Sequence, residues 1–241
     1  MSETTGIEWT DATWNPWMGC TKVSPGCAHC YMFREQHQYG RDLEAVVKSK
    51  TKFREPLKWR EPRKVFTCSW SDWFHDGADA WRDEAWALVR DTPHLTYQIL
   101  TKRPERIAAH LPTDWGAGYP NVWLGVSVEN QRHAYRIEYL KFIPAVVRFV
   151  SAEPLLGPLE LGGQAWEIDW LIAGGESGPK CRPMDAAWAA SLRDECVRAG
   201  AAFFLKQLGG WPDKRGSDKA TLDGVRWTQM PRPRTTLEPS R

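Results

Sequence analysis

The chain has 241 residues and a net charge of +2, enough length to bury a sizeable core in one domain and too little charge to announce a nucleic-acid binder. No stretch approaches the ~18 consecutive apolar residues that cross a membrane. Met1-Ser2-Glu3-Thr4-Thr5 lacks the basic and apolar regions of a signal peptide, so a cytoplasmic protein with reduced thiols is expected.

The first strand is expected over Ala12–Trp17. It runs into Gly19-Cys20-Thr21-Lys22-Val23-Ser24-Pro25-Gly26-Cys27-Ala28-His29-Cys30, where three of the six cysteines lie in a C-x6-C-x2-C spacing. Gly19, Pro25 and Gly26 mark a loop able to fold back and point three sulfurs at one centre. Three readings compete. The thiols could be unrelated and buried. They could hold zinc, with His29 or the distant Cys68 as a fourth ligand. Or they could hold an iron–sulfur cluster through three thiolates, leaving one iron open. Spacing alone leaves all three open.

A helix is expected from Cys30 to Tyr39, then a basic irregular segment from Lys48 to Arg63. The second strand is Lys64–Cys68. A helix follows over Ala78–Asp91, with Trp81, Ala85, Leu88 and Val89 on one face. Leu95–Leu100 is the third strand, followed by a helix opening near Pro104. Asn121–Val126 is the fourth, followed by a helix over Gln131–Phe142. Val146–Val150 is the fifth, and Pro154–Ile168 does not read as a helix. The sixth strand, Asp169–Ala173, precedes a helix over Ala186–Ala199, and Ala201–Leu205 is the seventh. This alternation predicts an α/β fold, a partial (β/α) barrel of about six or seven parallel strands over residues 1–211. Residues 212–241 read as an extension, a meander and then a basic, proline-containing, solvated tail.

In such barrels the working residues sit at the C-terminal strand ends. Here the ends carry the three cysteines, Ser69-Trp70-Ser71-Asp72-Trp73-Phe74-His75, Thr101-Lys102-Arg103, Ser127 with Glu129 and Asn130, Ser151-Ala152-Glu153, Gly174-Gly175-Glu176-Ser177-Gly178, and Lys206-Gln207. Seven polar ends in register predict a charged mouth. Glu129, Glu153 and Glu176 suit acid–base work, or acceptance of hydrogen bonds from a ligand's amine and hydroxyls. Lys102 and Arg103 suit a carboxylate or phosphate, or are surface cations. His75 suits an acid or base, or a cap. A nucleophile elbow at Ser177 fails because Pro179 stands where glycine is needed.

Lys48 to Lys64 holds eight cations in seventeen residues. With Trp59, Trp70 and Trp73 close by, it is a candidate nucleic-acid surface, the alternative being a solvated loop beside buried tryptophans.

With its cysteine loop after the first strand of a partial barrel, the chain resembles the radical S-adenosylmethionine (SAM) superfamily, whose usual spacing is C-x3-C-x2-C. More closely it resembles the phage-associated, mostly uncharacterised three-Cys-motif proteins. The matching phrases are Gly6-Ile7-Glu8-Trp9-Thr10, Trp14-Asn15-Pro16-Trp17, Ser69-Trp70-Ser71-Asp72, Leu100-Thr101-Lys102-Arg103-Pro104, Gly125-Val126-Ser127-Val128-Glu129, Ser151-Ala152-Glu153-Pro154-Leu155-Leu156 and Gly174-Gly175-Glu176-Ser177-Gly178. The cysteine region is also loosely similar to spore photoproduct lyase-like repair enzymes.

The resemblance implies that Cys20, Cys27 and Cys30 hold a [4Fe–4S] cluster whose open iron binds SAM. It implies reductive cleavage to a 5′-deoxyadenosyl radical, a nucleic acid or nucleotide as substrate, and a reductant such as flavodoxin or ferredoxin as partner. The superfamily's Gly-Gly-Glu motif follows the second strand, whereas here Gly174-Gly175-Glu176 follows the sixth. Ser71 and Asp72 therefore take the amine-binding place. Ser127 and Glu129 take the ribose or carboxylate place, and Lys102, Glu153, Gly174, Gly175 and Glu176 complete the cofactor set. Glu153, Glu176 and His75 are the catalytic candidates. The same chemistry on a peptide or small metabolite, and a non-catalytic zinc- or cluster-containing DNA-associated module, are the alternatives.

Overall fold

The computed structural model describes residues 5–36, 40 and 42–234. In chain order its strands are β1 (Ala12–Trp14), β2 (Trp17–Met18), β3 (Val47–Lys48), β4 (Arg63–Thr67), β5 (Leu95–Thr101), β6 (Val122–Ser127), β7 (Val147–Ala152), β8 (Trp170–Gly174), β9 (Ala202–Gln207), β10 (Thr221–Leu222) and β11 (Val225–Arg226). The α-helices are α1 (Tyr31–Gln36), α2 (Asp79–Asp91), α3 (Tyr135–Leu140) and α4 (Ala186–Ala199). Seven strands pair in the order β1-β4-β5-β6-β7-β8-β9, each neighbour parallel. The sheet curls into a partial barrel, and its edge strands β1 and β9 do not pair with each other.

β6 and β7 are buried at every residue, as parallel strands covered on both faces must be. Alternate side chains serve two cores. Outward-facing Val65, Ile99, Leu124, Val150, Leu171 and Phe203 join one core with Leu88 and Val89 of α2, Ile137 of α3 and Leu192 of α4. Inward-facing Phe66, Trp123, Phe149, Trp170 and Phe204 form a second with Trp9. Trp170 is central to this plug, with ring centroids 5.9 Å from Trp123, 5.8 Å from Phe149 and 6.1 Å from Trp9. Continuing two residues at a time along the same inward face, the strands leave the aromatic layer and reach Lys102, Ser127, Ser151 and Lys206. Period-2 alternation thus stacks a polar mouth on an aromatic floor.

Local signals account for the helix ends that matter. The Asp185 side chain accepts from the Ala187 amide at 2.9 Å and starts α4. Gly200, at φ +73°, ends it in the left-handed conformation.

Three expectations are corrected in detail. The first strand breaks at Pro16 into β1 and β2, because proline cannot donate to the ladder; β2 turns away to pair antiparallel with β3. The helix expected at Pro104 is two short 3₁₀ turns, Pro104–Arg106 and Ala108–His110, and Leu111-Pro112 stops any extension. The helix expected from Gln131 begins as a 3₁₀ turn and becomes α-helical only at Tyr135. The first helix is seen as far as Gln36; its expected end over 37–39 lies outside the described residues, as does the tail beyond 234.

Residues 212–234 run back along the body. The Leu205 amide donates to the Trp227 carbonyl at 2.8 Å, the Phe203 amide to Gln229 Oε1 at 2.9 Å, and Arg234 Nε to Asp169 Oδ1 at 2.7 Å.

Gly125 occupies an inward position where a Cβ would lie 2.5 Å from the Phe149 ring. Gly125→Ala is expected to overpack the floor and cost roughly 1–3 kcal/mol. A lowered urea midpoint with an unchanged m-value would show it.

Candidate functional site

Above the aromatic floor lies a cavity of about 660 Å³. Cys20, Cys27 and Cys30 line it, with Ser71, Asp72, Lys102, Ser127, Ser151, Glu153 and Lys206. Trp9, Phe66 and Leu100 supply its apolar base, and Tyr31 and Trp70 are further aromatic walls. The volume falls within the usual range for small-molecule sites.

The cysteine loop spans this mouth and is fastened at successive points. Gly19 adopts φ +101°, and a Cβ there would lie 2.3 Å from the Ala45 carbonyl, so only glycine fits. Its amide donates to the Trp70 carbonyl at 3.1 Å, and its own carbonyl accepts from Ser71 Oγ at 2.5 Å. Asn15 Oδ1 accepts from the Trp70 amide at 2.9 Å, and Tyr31 donates to the Ser69 carbonyl. These contacts bind both feet of the loop to the end of β4.

The end of β5 holds the next residues. Arg103 donates through Nη2 to Thr21 Oγ1 at 2.8 Å and to its carbonyl at 3.0 Å. Through Nη1 it reaches Asp72 Oδ2 at 3.1 Å and Cys20 Sγ at 3.8 Å. Asp72 is buried and accepts also from the Phe74 and Lys102 amides, each at 2.9 Å, and from Thr101 Oγ1 at 2.7 Å. His75 Nε2 lies 3.1 Å from Thr21 Oγ1, while its Nδ1 accepts from the Gly77 amide at 3.0 Å and caps a 3₁₀ turn. Burial, reinforced by Arg103, pushes the His75 imidazolium pKa down, so the neutral ring is favoured.

Two carboxylates fasten the far half of the loop. Glu129 is fully buried and accepts from Ser24 Oγ at 2.5 Å and Arg136 Nη1 at 2.9 Å; Lys102 Nζ lies 3.8 Å away. Burial opposes its charge, but Lys102, Arg136, Ser24 and His133 hold its carboxyl below the usual range. Gly26 lets the loop settle on it, since a Cβ there would fall 2.5 Å from Glu129 Oε1. Glu176 accepts from the Arg182 amide at 2.8 Å and from Arg182 Nε and His29 Nδ1, each at 2.9 Å. Arg182 Nη2 continues to the Pro25 carbonyl at 3.0 Å. Burial again opposes the charge, yet Arg182 and His29 hold the Glu176 carboxyl down at about 2.

The sequence-derived candidates therefore divide. Ser71, Asp72, Lys102, Ser127 and Glu153 stand on the cavity wall with the cysteines. Glu129, Glu176 and His75 lie behind the loop and hold it. Gly174 and Gly175 serve packing. A Cβ on Gly174 would lie 3.0 Å from Glu153 Oε1, and one on Gly175 would lie 2.3 Å from the Leu208 carbonyl. Sequence reasoning did not single out Ser24, Arg136 or Arg182; only the folded geometry joins them to Glu129 and Glu176. Of the three tryptophans near the basic segment, Trp59 and Trp73 are buried and Trp70 alone reaches the cavity.

As to a metal group, the six cysteines are free thiols. Among the described residues no set of three or more His, Cys, Asp or Glu side chains is compact enough for a single ion. His29 is engaged by Glu176 rather than by the thiols. Burial, with Asp72, pushes the Cys20 thiol up to about 12 against the pull of Arg103, and burial also raises Cys30. Cys20, Cys27 and Cys30 line one cavity and are the type of donor that an iron–sulfur group takes.

A family model described as a protein of unknown function (DUF5131) matches residues 4–231, and the chain belongs to that family. No curated protein and no solved structure matches it. No helix among the described residues is long and apolar enough to cross a membrane.

The Glu176 clamp has a pH signature. A carboxyl depressed from 4.5 to about 2 on folding contributes stability that is complete above 4.5 and is lost as the pH falls toward 2. Glu176→Gln lacks this contribution. The gap in melting temperature between the two proteins is expected to be level above pH 4.5 and to narrow on acidification toward about pH 2. A gap that does not change with pH would assign the clamp to packing alone.

Proposed function

We propose that this member of the family is a radical SAM enzyme, with Cys20, Cys27 and Cys30 as the ligands of a [4Fe–4S] cluster. The observation that carries the reading is the three-thiol loop itself, fastened across a polar cavity at the C-terminal ends of a parallel partial barrel. When bound, such a cluster supplies the electron that splits the C5′–S bond of SAM and gives a 5′-deoxyadenosyl radical.

The chain's own residues have separate tasks in this reading. Arg103 offers an N–H to the Cys20 sulfur and places a buried positive charge beside the ligand set. Lys102 and Ser127 present a cation and a hydroxyl to the cavity, suited to a carboxylate and a ribose. Asp72 already accepts from several protein donors, so its part is to orient Arg103 and the loop. The aromatic floor closes the barrel below and excludes bulk water from that side of the cavity.

Iron and sulfide analysis of anaerobically purified protein should give both elements, and each of Cys20→Ala, Cys27→Ala and Cys30→Ala should abolish formation of 5′-deoxyadenosine from SAM. Stoichiometric zinc without sulfide, or cleavage persisting in all three variants, overturns the assignment.

For the substrate we propose a nucleic acid or nucleotide. Support comes from the basic segment, whose exposed Lys50, Lys58 and Arg60 remain after Lys48 and Arg54 pair with Glu84, Lys52 with Glu55 and Lys64 with Asp11. Phosphate contacts by these cations would make binding fall steeply with salt. Gel-shift titration at two salt concentrations should show that fall, and should show weaker binding and a shallower salt slope when Lys50, Lys58 and Arg60 are replaced together by glutamine. Binding that ignores both salt and substitution favours a peptide or small metabolite.

A further inference from the structure

Several polar groups of the mouth hold the cysteine loop, whereas one cluster on its wall pairs within the sheet. Glu153, just past β7, and Lys206, on β9, meet across β8 with Nζ 2.8 Å from Oε1. They can meet because Gly174, on the strand between them, has no side chain. Ser151 Oγ donates to Glu153 Oε2 at 3.2 Å. All three line the cavity, with Glu153 and Lys206 side chains 14% and 24% exposed. Their hydrogen bonds run along the sheet, to one another, rather than to the loop.

The pair retains hydrogen-bonding capacity. An ionised carboxylate has about four acceptor positions and an ammonium three donors, so acceptor sites on Glu153 and N–H groups on Lys206 stay open side by side. A ligand edge with an N–H donor next to a carbonyl acceptor would satisfy both, its N–H on Glu153 and its carbonyl on Lys206. Tyr31 and Trp70, both partly accessible, line the same cavity, so the ligand bearing that edge has aromatic side chains to lie against. A planar heterocycle with a ring N–H beside a carbonyl has both properties. Guanine is one such base, and lysine recognises its O6 and N7.

We propose that Glu153, Lys206 and Ser151 form a base-binding subsite that takes a nucleobase carrying a carbonyl next to a ring N–H, as in guanine. The inference rests on the radical SAM reading above and names the substrate moiety that the cavity would hold.

Guanosine, inosine, adenosine and cytidine are titrated with and without SAM into the full chain, purified anaerobically with its iron and sulfide retained, followed by tryptophan fluorescence. Inosine shares the carbonyl and ring N–H of guanosine, whereas adenosine and cytidine lack that pair. With SAM present, guanosine and inosine are expected to bind at least about tenfold more tightly than adenosine and cytidine, a discrimination of the size one charge-assisted hydrogen bond supports. Glu153→Gln and Lys206→Met, each checked for an unchanged circular dichroism spectrum, are expected to lose guanosine binding by a similar factor. Equal affinity for all four nucleosides, or guanosine binding unaffected in both folded variants, overturns the proposal. The nucleoside ranking in the unsubstituted protein decides the matter should either variant fail to fold. SAM binding that occurs without nucleoside discrimination defeats the subsite alone. Nucleoside binding that depends on Glu153 and Lys206, with no binding of SAM, counts against the radical SAM reading and leaves the subsite standing.

Discussion

The attachment of one irregular loop to the rim of the barrel is the constraint on which the site depends. A glycine- and proline-containing loop has no ladder to satisfy its backbone, and ordering it costs conformational entropy at every residue. That cost is offset by fixed partners: Ser71 and Trp70 at Gly19, Arg103 at Thr21, Glu129 at Ser24, Arg182 at Pro25 and Glu176 at His29. Glu129 and Glu176 are themselves buried carboxylates, tolerable because Lys102 and Arg136 complete the first and Arg182 and His29 the second. Removing Arg136, whose pair with Glu129 is fully buried, leaves a charge without its nearest compensation, typically at a cost of about 3–5 kcal/mol. Loop and rim therefore depend on each other, the Gly19–Thr21 end through β4 and β5 and the Ser24–His29 end through the two carboxylates.

The rim depends in turn on the strand alternation beneath it. Each parallel strand sends alternate residues inward, so the register that seats Trp123, Phe149 and Phe204 in the floor also sends Ser127, Ser151 and Lys206 into the cavity. A one-residue slip of β7 would turn Ser151 outward and bring Val150 into the mouth. Ser127 and Ser151 are direct register partners, and Ala173 pairs with Ala152 beside them, which fixes how far each strand end projects. The glycines have places in this scheme. Gly125 gives the Phe149 ring its room, and Gly174 opens the space across which Glu153 meets Lys206.

Much of this was legible in the chain. Runs such as Val146–Val150 and Asp169–Ala173 combine β-branched and aromatic residues between turn signals, and they lie in β7 and β8 with small shifts at their ends. The segment after Pro104 misled because proline suits the first turn of a helix of any length, although Pro112 marks in the sequence how soon that helix must stop. Site roles were harder to read. Lys102 and Arg103 are adjacent in sequence, yet Lys102 points toward Glu129 and the cavity while Arg103 turns to Asp72 and Thr21. Glu129, Glu153 and Glu176 look alike as strand-end carboxylates. Glu153 faces the cavity and the other two lie under the loop, because Ser24 and His29, each more than a hundred residues away in sequence, are brought to Glu129 and Glu176. Partners set by tertiary approach leave no trace in local spacing.

The protonation of the thiols separates the chemistries open to them. A nucleophilic cysteine needs a lowered pKa, from a neighbouring cation or a helix N-terminus, in a partly exposed site. At Cys20 the balance runs the other way: burial and Asp72 lift the thiol to about 12, and Arg103 only partly counters them. Cys30 is raised as well. Bare, these two thiols are protonated at neutral pH and poor nucleophiles. A metal reverses the balance, because a coordinated thiol gives up its proton outright and its negative charge is shared with the ion. Burial then helps by keeping water from the metal–sulfur bonds, and the Arg103 guanidinium gains an anionic sulfur to donate to. The environment that makes these cysteines poor reagents is thus compatible with their service as ligands.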